Sequence, residues 1–253
     1  ILAAKYPDTT ENVYSAPLYP YISRALGYIT SLARGVSISE CVVLGLIVAA
    51  IVLVIVFIVK LFSGRLRFAQ LMSFIMGVCV FASFMFALFY IDWGFNYMRP
   101  SLYRRMNLTL EQRPVEELDA LCRRLAASAN ALRSGLKEDE NGVFALEKDS
   151  AAEFSKIPAA YRLLGADYSI FSGTVYPAKG VKASVAMSYG GIAGIYIPYF
   201  AEANVNINQP ALLIASSAAH ETAHYLGVAR EDEANFVSYL ACTYSLDASV
   251  RYS

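Results

Sequence analysis

The chain is poor in charged residues and in metal-binding cysteine patterns. Only 17% of its 253 residues are Asp, Glu, Lys or Arg, and 21 acidic residues balance 21 basic ones. This balance argues against nucleic acid or another polyanion as a partner. The four cysteines show no CxxC spacing, so the sequence indicates neither a thiolate metal site nor a disulfide framework. The sequence also contains no glycine-rich phosphate loop and no internal repeat.

Apolar residues are in excess, at 57% of the sequence. Residues 41–59 carry no charge and would form about 30 Å of helix, enough to cross the hydrocarbon core of a membrane. A second uncharged run, residues 68–91, follows a short basic turn. Two such runs predict a transmembrane helical hairpin over residues 41–91 in preference to a pair of buried core helices. The lipid bilayer is therefore an expected partner.

Basic residues set the expected orientation of this hairpin. Lys60, Arg65 and Arg67 favour a cytoplasmic turn, which would place the C-terminal region outside. Basic residues before the first run and after the second weaken this preference. Three aromatic residues after the second run would form an interfacial belt: Trp93, Tyr97 and Tyr103.

Residues 1–40 are predicted to be a juxtamembrane region with an amphipathic helix. Its apolar face consists of Leu18, Ile22, Leu26, Ile29 and Leu32. Such a face would suit either the membrane surface or the C-terminal domain.

Residues 92–253 are predicted to form one mainly helical domain with a small β-sheet, so the expected fold class is α+β. Helical patterns cover 115–133, 211–226 and about 230–244, and a polar loop covers 134–150. Strands are expected near 181–188 and 192–199. The alternation of polar and apolar residues over 203–208 predicts a half-buried edge strand.

The sequence His220-Glu221-Thr222-Ala223-His224 lies on one of these helices and contains both histidines of the chain. Histidines four residues apart project from one helix face, where both can bind one tetrahedral zinc ion. Glu221 lies beside them, where a carboxylate off the metal can act as a general base. The pattern predicts a hydrolytic zinc site.

A third zinc ligand is expected at the start of the next helix. Glu231 is the preferred candidate, and Asn235, one turn later, would orient it. Glu233 is the alternative ligand, while Asp232 suits the positive end of the helix dipole.

The sequence HETAH with the following GVAREDEANFVSYLAC resembles a bacterial family of uncharacterised membrane proteins described as zinc metallopeptidases. Segments 14–20, 93–99 and 194–206 carry the same resemblance, which covers most of the chain. It implies a zincin-like domain, gluzincin-like in its two histidines and one glutamate, in which Glu231 and Asn235 occupy the ExxAN pattern. It further implies the bacterial cytoplasmic membrane as location, an earlier transmembrane helix and a C-terminal continuation. The short connection between His224 and Glu231 departs from other gluzincins, and Arg230 stands where metzincins have a third histidine.

The expected function is hydrolysis of peptide bonds by a zinc-activated water with Glu221 as general base. An edge strand within 192–206 would pair with an extended protein or peptide substrate, with Tyr196, Glu202 and Asn206 as candidate contacts. Tyr244 and Tyr189 are candidate oxyanion stabilisers. The alternatives are a zinc amidase of cell-envelope material and a non-enzymatic membrane sensor with a structural zinc site. The sequence predicts no oligomeric state.

Overall fold

A computed structural model describes residues 5–64 and 67–253, so Arg65 of the predicted basic turn lies outside the described residues. The fold class is α+β as predicted, with many helices and one small sheet. The helices are α1 (Pro7–Thr10), α2 (Tyr19–Ser31), α3 (Ile38–Phe62), α4 (Phe68–Asp92), α5 (Leu102–Arg105), α6 (Val115–Arg133), α7 (Ser150–Phe154), α8 (Ile157–Asp167), α9 (Ser184–Tyr189), α10 (Ala211–Tyr225), α11 (Glu231–Tyr244) and α12 (Ala248–Tyr252). The strands are β1 (Lys179–Val181), β2 (Gly194–Ile197) and β3 (Glu202–Asn206). Single turns of π or 3-10 helix lie at Glu11–Ser15, Gly94–Met98, Ser169–Phe171 and Pro198–Phe200.

Helices α3 and α4 are the two predicted apolar runs, and each has 25 residues. Both are long and apolar enough to cross a membrane, and their apolar side chains are exposed along almost the whole length. The rings of Phe57 and Phe74 stack at 5.6 Å between the two helices. These helices are compatible with a membrane protein, because water would penalise so large an apolar surface.

The N-terminal region packs on the C-terminal domain. Helix α2 buries Tyr19, Ser23, Gly27 and Thr30, while its opposite face remains exposed. Gly27 touches the rings of Tyr176 and Tyr225 so closely that a methyl group there would lie about 3 Å from both. The chain before the hairpin therefore belongs to the same packed unit as the chain after it.

The sheet has the strand order β1-β3-β2. Strand β3 pairs with β1 in parallel and with β2 in antiparallel fashion, and all five of its residues are buried. The prediction of a half-buried edge strand at 203–208 is therefore wrong, because both edges of β3 are paired. Its alternating polar residues have buried partners instead: the Lys179 ammonium lies 2.6 Å from the Glu202 carboxylate, and the Asn204 amide donates to Ser39 Oγ at 2.9 Å.

The same buried carboxylate holds the start of α3. Glu202 accepts hydrogen bonds from the backbone N–H groups of Ile38 and Ser39, at 3.2 and 2.7 Å. Lys179 Nζ also donates to the carbonyl oxygens of Thr30 and Val36. A negative charge at a helix N-terminus is favourable because it satisfies free N–H groups and the helix dipole. The first long helix is thus fixed to the central strand.

The predicted helices 115–133, 211–226 and 230–244 are confirmed as α6, α10 and α11, and the strand predicted near 192–199 is confirmed as β2. The strand predicted at 181–188 is wrong, since only β1 ends there and α9 follows. Short apolar runs suit a strand or a buried helix equally well by periodicity. The main core lies between α8, α10, α11 and β3.

Candidate metal centre

His220 and His224 face each other on α10, one helical turn apart, with 3.0 Å between their Nε2 atoms. Glu231, the first residue of α11, completes the group. Its Oε2 lies 3.1 Å from His220 Nε2, and its Oε1 lies 3.5 Å from His224 Nε2. The structure therefore brings together the three residues that the sequence nominates as ligands.

These distances can be compared with those of a tetrahedral zinc site. Zinc–nitrogen and zinc–oxygen bonds of about 2.0–2.1 Å at tetrahedral angles separate neighbouring ligand atoms by about 3.3 Å. The two histidine nitrogens lie 3.0 Å apart, and each lies 3.1 to 3.5 Å from one Glu231 oxygen, Oε2 for His220 and Oε1 for His224. Two imidazoles and a carboxylate are also ligands that zinc commonly takes. The donor set fits zinc in both chemistry and spacing.

The turn between α10 and α11 depends on Gly227, whose φ of 81° lies in the left-handed region. A Cβ there would come within 2.8 Å of Arg99 Nη1 and 2.9 Å of the Tyr19 ring, so glycine is required twice over. This turn brings the Val228 carbonyl oxygen to 2.7 Å from His224 Nδ1. With Nδ1–H donating to that carbonyl, the lone pair of Nε2 faces His220 and Glu231.

Distant parts of the chain fix the end of the ligand helix. Trp93, which follows α4 directly, donates from Nε1 to the His224 carbonyl oxygen at 3.0 Å, and its ring centroid lies 6.0 Å from that of His224. Tyr19 Oη donates to the Tyr225 carbonyl oxygen at 2.7 Å. The residue after the second long helix thus touches the backbone and the ring of a candidate ligand.

Glu221 is only 5% exposed and lines the same cleft as the two histidines. Burial raises the pKa of its carboxyl group to about 8, with a further contribution from the charge of Glu231, while the backbone of Tyr196 acts in the opposite direction. Burial also lowers the pKa of His224, which favours the neutral imidazole that binds metal. A cation held at the centre would favour the ionised form of Glu221, as a general base requires.

The other acidic residues of α11 have separate partners. Glu233 Oε1 accepts a hydrogen bond from the Leu102 backbone N–H at 2.7 Å, so this alternative ligand faces α5 and not the histidines. Asp232 pairs with Arg230 at the surface. Asn235 lines the cleft, but within the described residues it makes no hydrogen bond to Glu231, which it was predicted to orient.

The predicted substrate contacts are only partly near the cleft. Glu202 and Asn206 lie on β3, which is paired on both sides, and this placement removes them from a substrate-binding edge. Tyr196 lies on edge strand β2, but its side chain is buried against Trp93, with its Oη 3.3 Å from Tyr19 Oη. Of the predicted substrate strand, only the backbone of β2 is therefore left as a candidate for contact with a substrate.

The candidate oxyanion residues lie elsewhere. Tyr244 Oη donates to Asp167 at 2.7 Å, and Tyr189 is almost fully exposed at the end of α9. Tyr97 lines the cleft instead, next to Trp93, and burial together with the charge of Glu231 raises its pKa. The sequence signal for Tyr97 and Trp93 was their place directly after a span, which predicts a membrane belt and not a metal site.

No curated protein and no solved structure matches the chain. A family described as protein of unknown function (DUF3810) matches residues 14–253. That match extends from the π-helical turn before α2, through both long helices, to the last residue of the chain. The chain belongs to this family of unknown function.

Proposed function

We propose that this chain is a membrane-anchored zinc peptidase with a zincin-like catalytic domain. The observation that carries the proposal is the group of His220, His224 and Glu231, with ligand atoms 3.0 to 3.5 Å apart, in a cleft that Glu221 also lines. Three protein ligands leave one tetrahedral position for water or substrate, as catalytic zinc sites do.

A zinc ion held by His220, His224 and Glu231 would supply a water with a pKa lowered to about 7 and would polarise the scissile carbonyl. The protein supplies the proton transfers. Glu221 takes the proton of the attacking water at its carboxylate and delivers it to the leaving amine. Tyr97, whose ring packs edge-on against Trp93 in the same cleft, offers a hydroxyl to the developing oxyanion. Tight packing of Gly194 against Glu221 keeps the carboxylate in place.

Helices α3 and α4 would anchor this site in a bilayer. Each is about 37 Å long at 1.5 Å per residue, which exceeds the hydrocarbon thickness of about 30 Å. Lys60 and Arg67 at the turn favour a cytoplasmic turn and an extracytoplasmic site in a bacterial cytoplasmic membrane.

The open cleft favours catalysis over a sensor with structural zinc. Structural zinc sites are closed by four protein ligands, whereas the metal-binding group found among residues 5–64 and 67–253 offers three. An amidase of cell-envelope material would use the same chemistry. Exposed Ile192 and Ile195 along the cleft favour a polypeptide with apolar side chains over glycan-rich material.

The test uses the purified full chain and the Glu221→Gln variant. We expect wild type to bind one zinc per chain and to hydrolyse peptides, and Glu221→Gln to keep the zinc while losing at least about 100-fold in turnover. Wild-type turnover in Glu221→Gln would refute the catalytic assignment, and a wild type without zinc affinity would refute the site itself.

A further inference from the structure

The cleft extends from the candidate metal centre to the second long helix. It has a volume of about 1180 Å³ and is lined by Phe89 and Trp93 at the end of α4 as well as by His220 and Glu231. Phe89 lies three residues before the last residue of α4 and therefore within the apolar helix itself. A ligand that fills this cleft touches the metal centre and the membrane anchor together.

Strand β2 runs from Glu221, beside the candidate metal centre, towards α4. Gly194 packs against the Glu221 side chain at the start of the strand. The strand ends at Ile197, and Tyr199 then donates from Oη to the Met85 carbonyl oxygen at 3.1 Å, two turns inside α4. Strand residues advance about 3.3 Å each, so Ile197 lies about 10 Å along the strand from Gly194, and the contact with α4 follows two residues later at Tyr199.

One edge of β2 is open to a substrate apart from the Tyr196 backbone N–H, which interacts with the Glu221 carboxylate. Its other edge pairs with β3, and within the described residues no further strand pairs with it. An extended peptide added to this edge would have one end at the span and its middle at the metal centre. Its side chains would meet apolar residues that line the cleft, namely Ile192, Ile195 and, on α6, Leu125 and Leu132.

We propose that the substrates are polypeptides that are themselves anchored in the bilayer and are cut in an apolar segment about three to six residues from their own span. This inference rests on the proposed function and adds the substrate class to it. The spacing follows from the chain between Gly194, which packs on Glu221, and Tyr199, which bonds to α4 five residues later. A soluble peptide would reach the same edge without the membrane to hold it in register.

The experiment places the full chain in lipid vesicles with three peptides that share one apolar target segment. One peptide is joined to a transmembrane helix by about four residues, one by about 20 flexible Gly and Ser residues, and one is free in solution. We expect the short-spacer peptide to be cut at least about tenfold faster than the long-spacer peptide, at a bond a fixed distance from the span. The long spacer controls for simple enrichment at the membrane.

Equal rates for the two anchored peptides would overturn the proposed substrate class. Zinc-dependent cleavage of the free peptide, lost in Glu221→Gln, would in that case leave the peptidase proposal standing. Failure to cut any of the three would overturn both proposals.

A pair of variants tests whether the apolar lining of the cleft binds the substrate. Ile195 and Ile207 have the same exposure, 44% and 45%, but Ile195 lines the cleft whereas Ile207 follows β3 outside it. We expect Ile195→Ser to lower kcat/KM for the short-spacer peptide by about tenfold and Ile207→Ser to leave it unchanged. Equal effects of the two substitutions would contradict a role for Ile195 in binding the substrate.

Discussion

Gly194→Ala should displace Glu221, the proposed general base, without disturbing the proposed metal ligands. A Cβ at this position would lie 2.5 Å from Glu221 Oε1, 2.7 Å from its Cγ and 2.9 Å from its Cδ. Ordinary contacts begin near 3.4 Å, so the carboxylate would have to move by about 1 Å. A misplacement of that size can cost about 100-fold in rate, or about 2.7 kcal/mol of transition-state stabilisation. Because Gly194 is not among the glycines with positive φ, alanine causes no backbone strain there.

The assay compares zinc content, kcat and thermal stability of the full chain with those of Gly194→Ala and Gly190→Ala. Gly190 has a φ of −86°, and a Cβ there would have no neighbour closer than 3.4 Å, so this matched control should behave as wild type. We expect Gly194→Ala to keep its zinc and its fold and to lose about 100-fold in kcat. Full activity in Gly194→Ala, or an equal loss in Gly190→Ala, would refute the reasoning.

Three further predictions concern the ligand set, the oxyanion and pH. Glu231→Gln should weaken zinc binding by at least about tenfold in a competition titration, whereas Glu233→Gln, whose carboxylate caps Leu102, should keep zinc and lose stability. Tyr97→Phe should lower kcat by about 100-fold with unchanged zinc content, and an unchanged kcat would exclude its hydroxyl. Burial opposes ionisation of Glu11, but the Arg99 guanidinium at 2.6 Å lowers the pKa of this carboxyl group overall, below 4.5. The Glu11–Arg99 ion pair therefore stabilises the fold above that pH, and its contribution is lost as the pH falls further. Acid unfolding of Glu11→Gln should therefore depend less on pH than that of wild type.

The sequence predicted the parts of this site that local geometry determines. Helical spacing alone places His220, Glu221 and His224 on one edge, and the short connection through Gly227 limits the third ligand to the start of the next helix. The choice of Glu231 over Glu233 agrees with the structure because residues two positions apart on a helix point to different faces.

What the sequence could not predict depends on contacts between distant residues. Trp93 reaches His224 across 131 positions, and its aromatic character fits a membrane belt equally well. Strand β3 was assigned to an edge because its polar residues alternate with apolar ones. Only the tertiary structure shows that Lys179 and Ser39 satisfy those polar groups inside the protein.

The contacts of α2 have a consequence for the order in which the protein is made. Tyr19 bonds to the backbone of Tyr225 across 206 residues, and Thr30 accepts from Lys179 across 149. Because synthesis proceeds from the N-terminus, α2 emerges and both long helices follow before these partners exist. Until the C-terminal domain is made, the face of α2 that packs on it therefore stays exposed. A nascent chain that stops before α10 could neither pack α2 in place nor bring His220, His224 and Glu231 together, so any activity of the proposed site would begin only after α10 and α11 have been made.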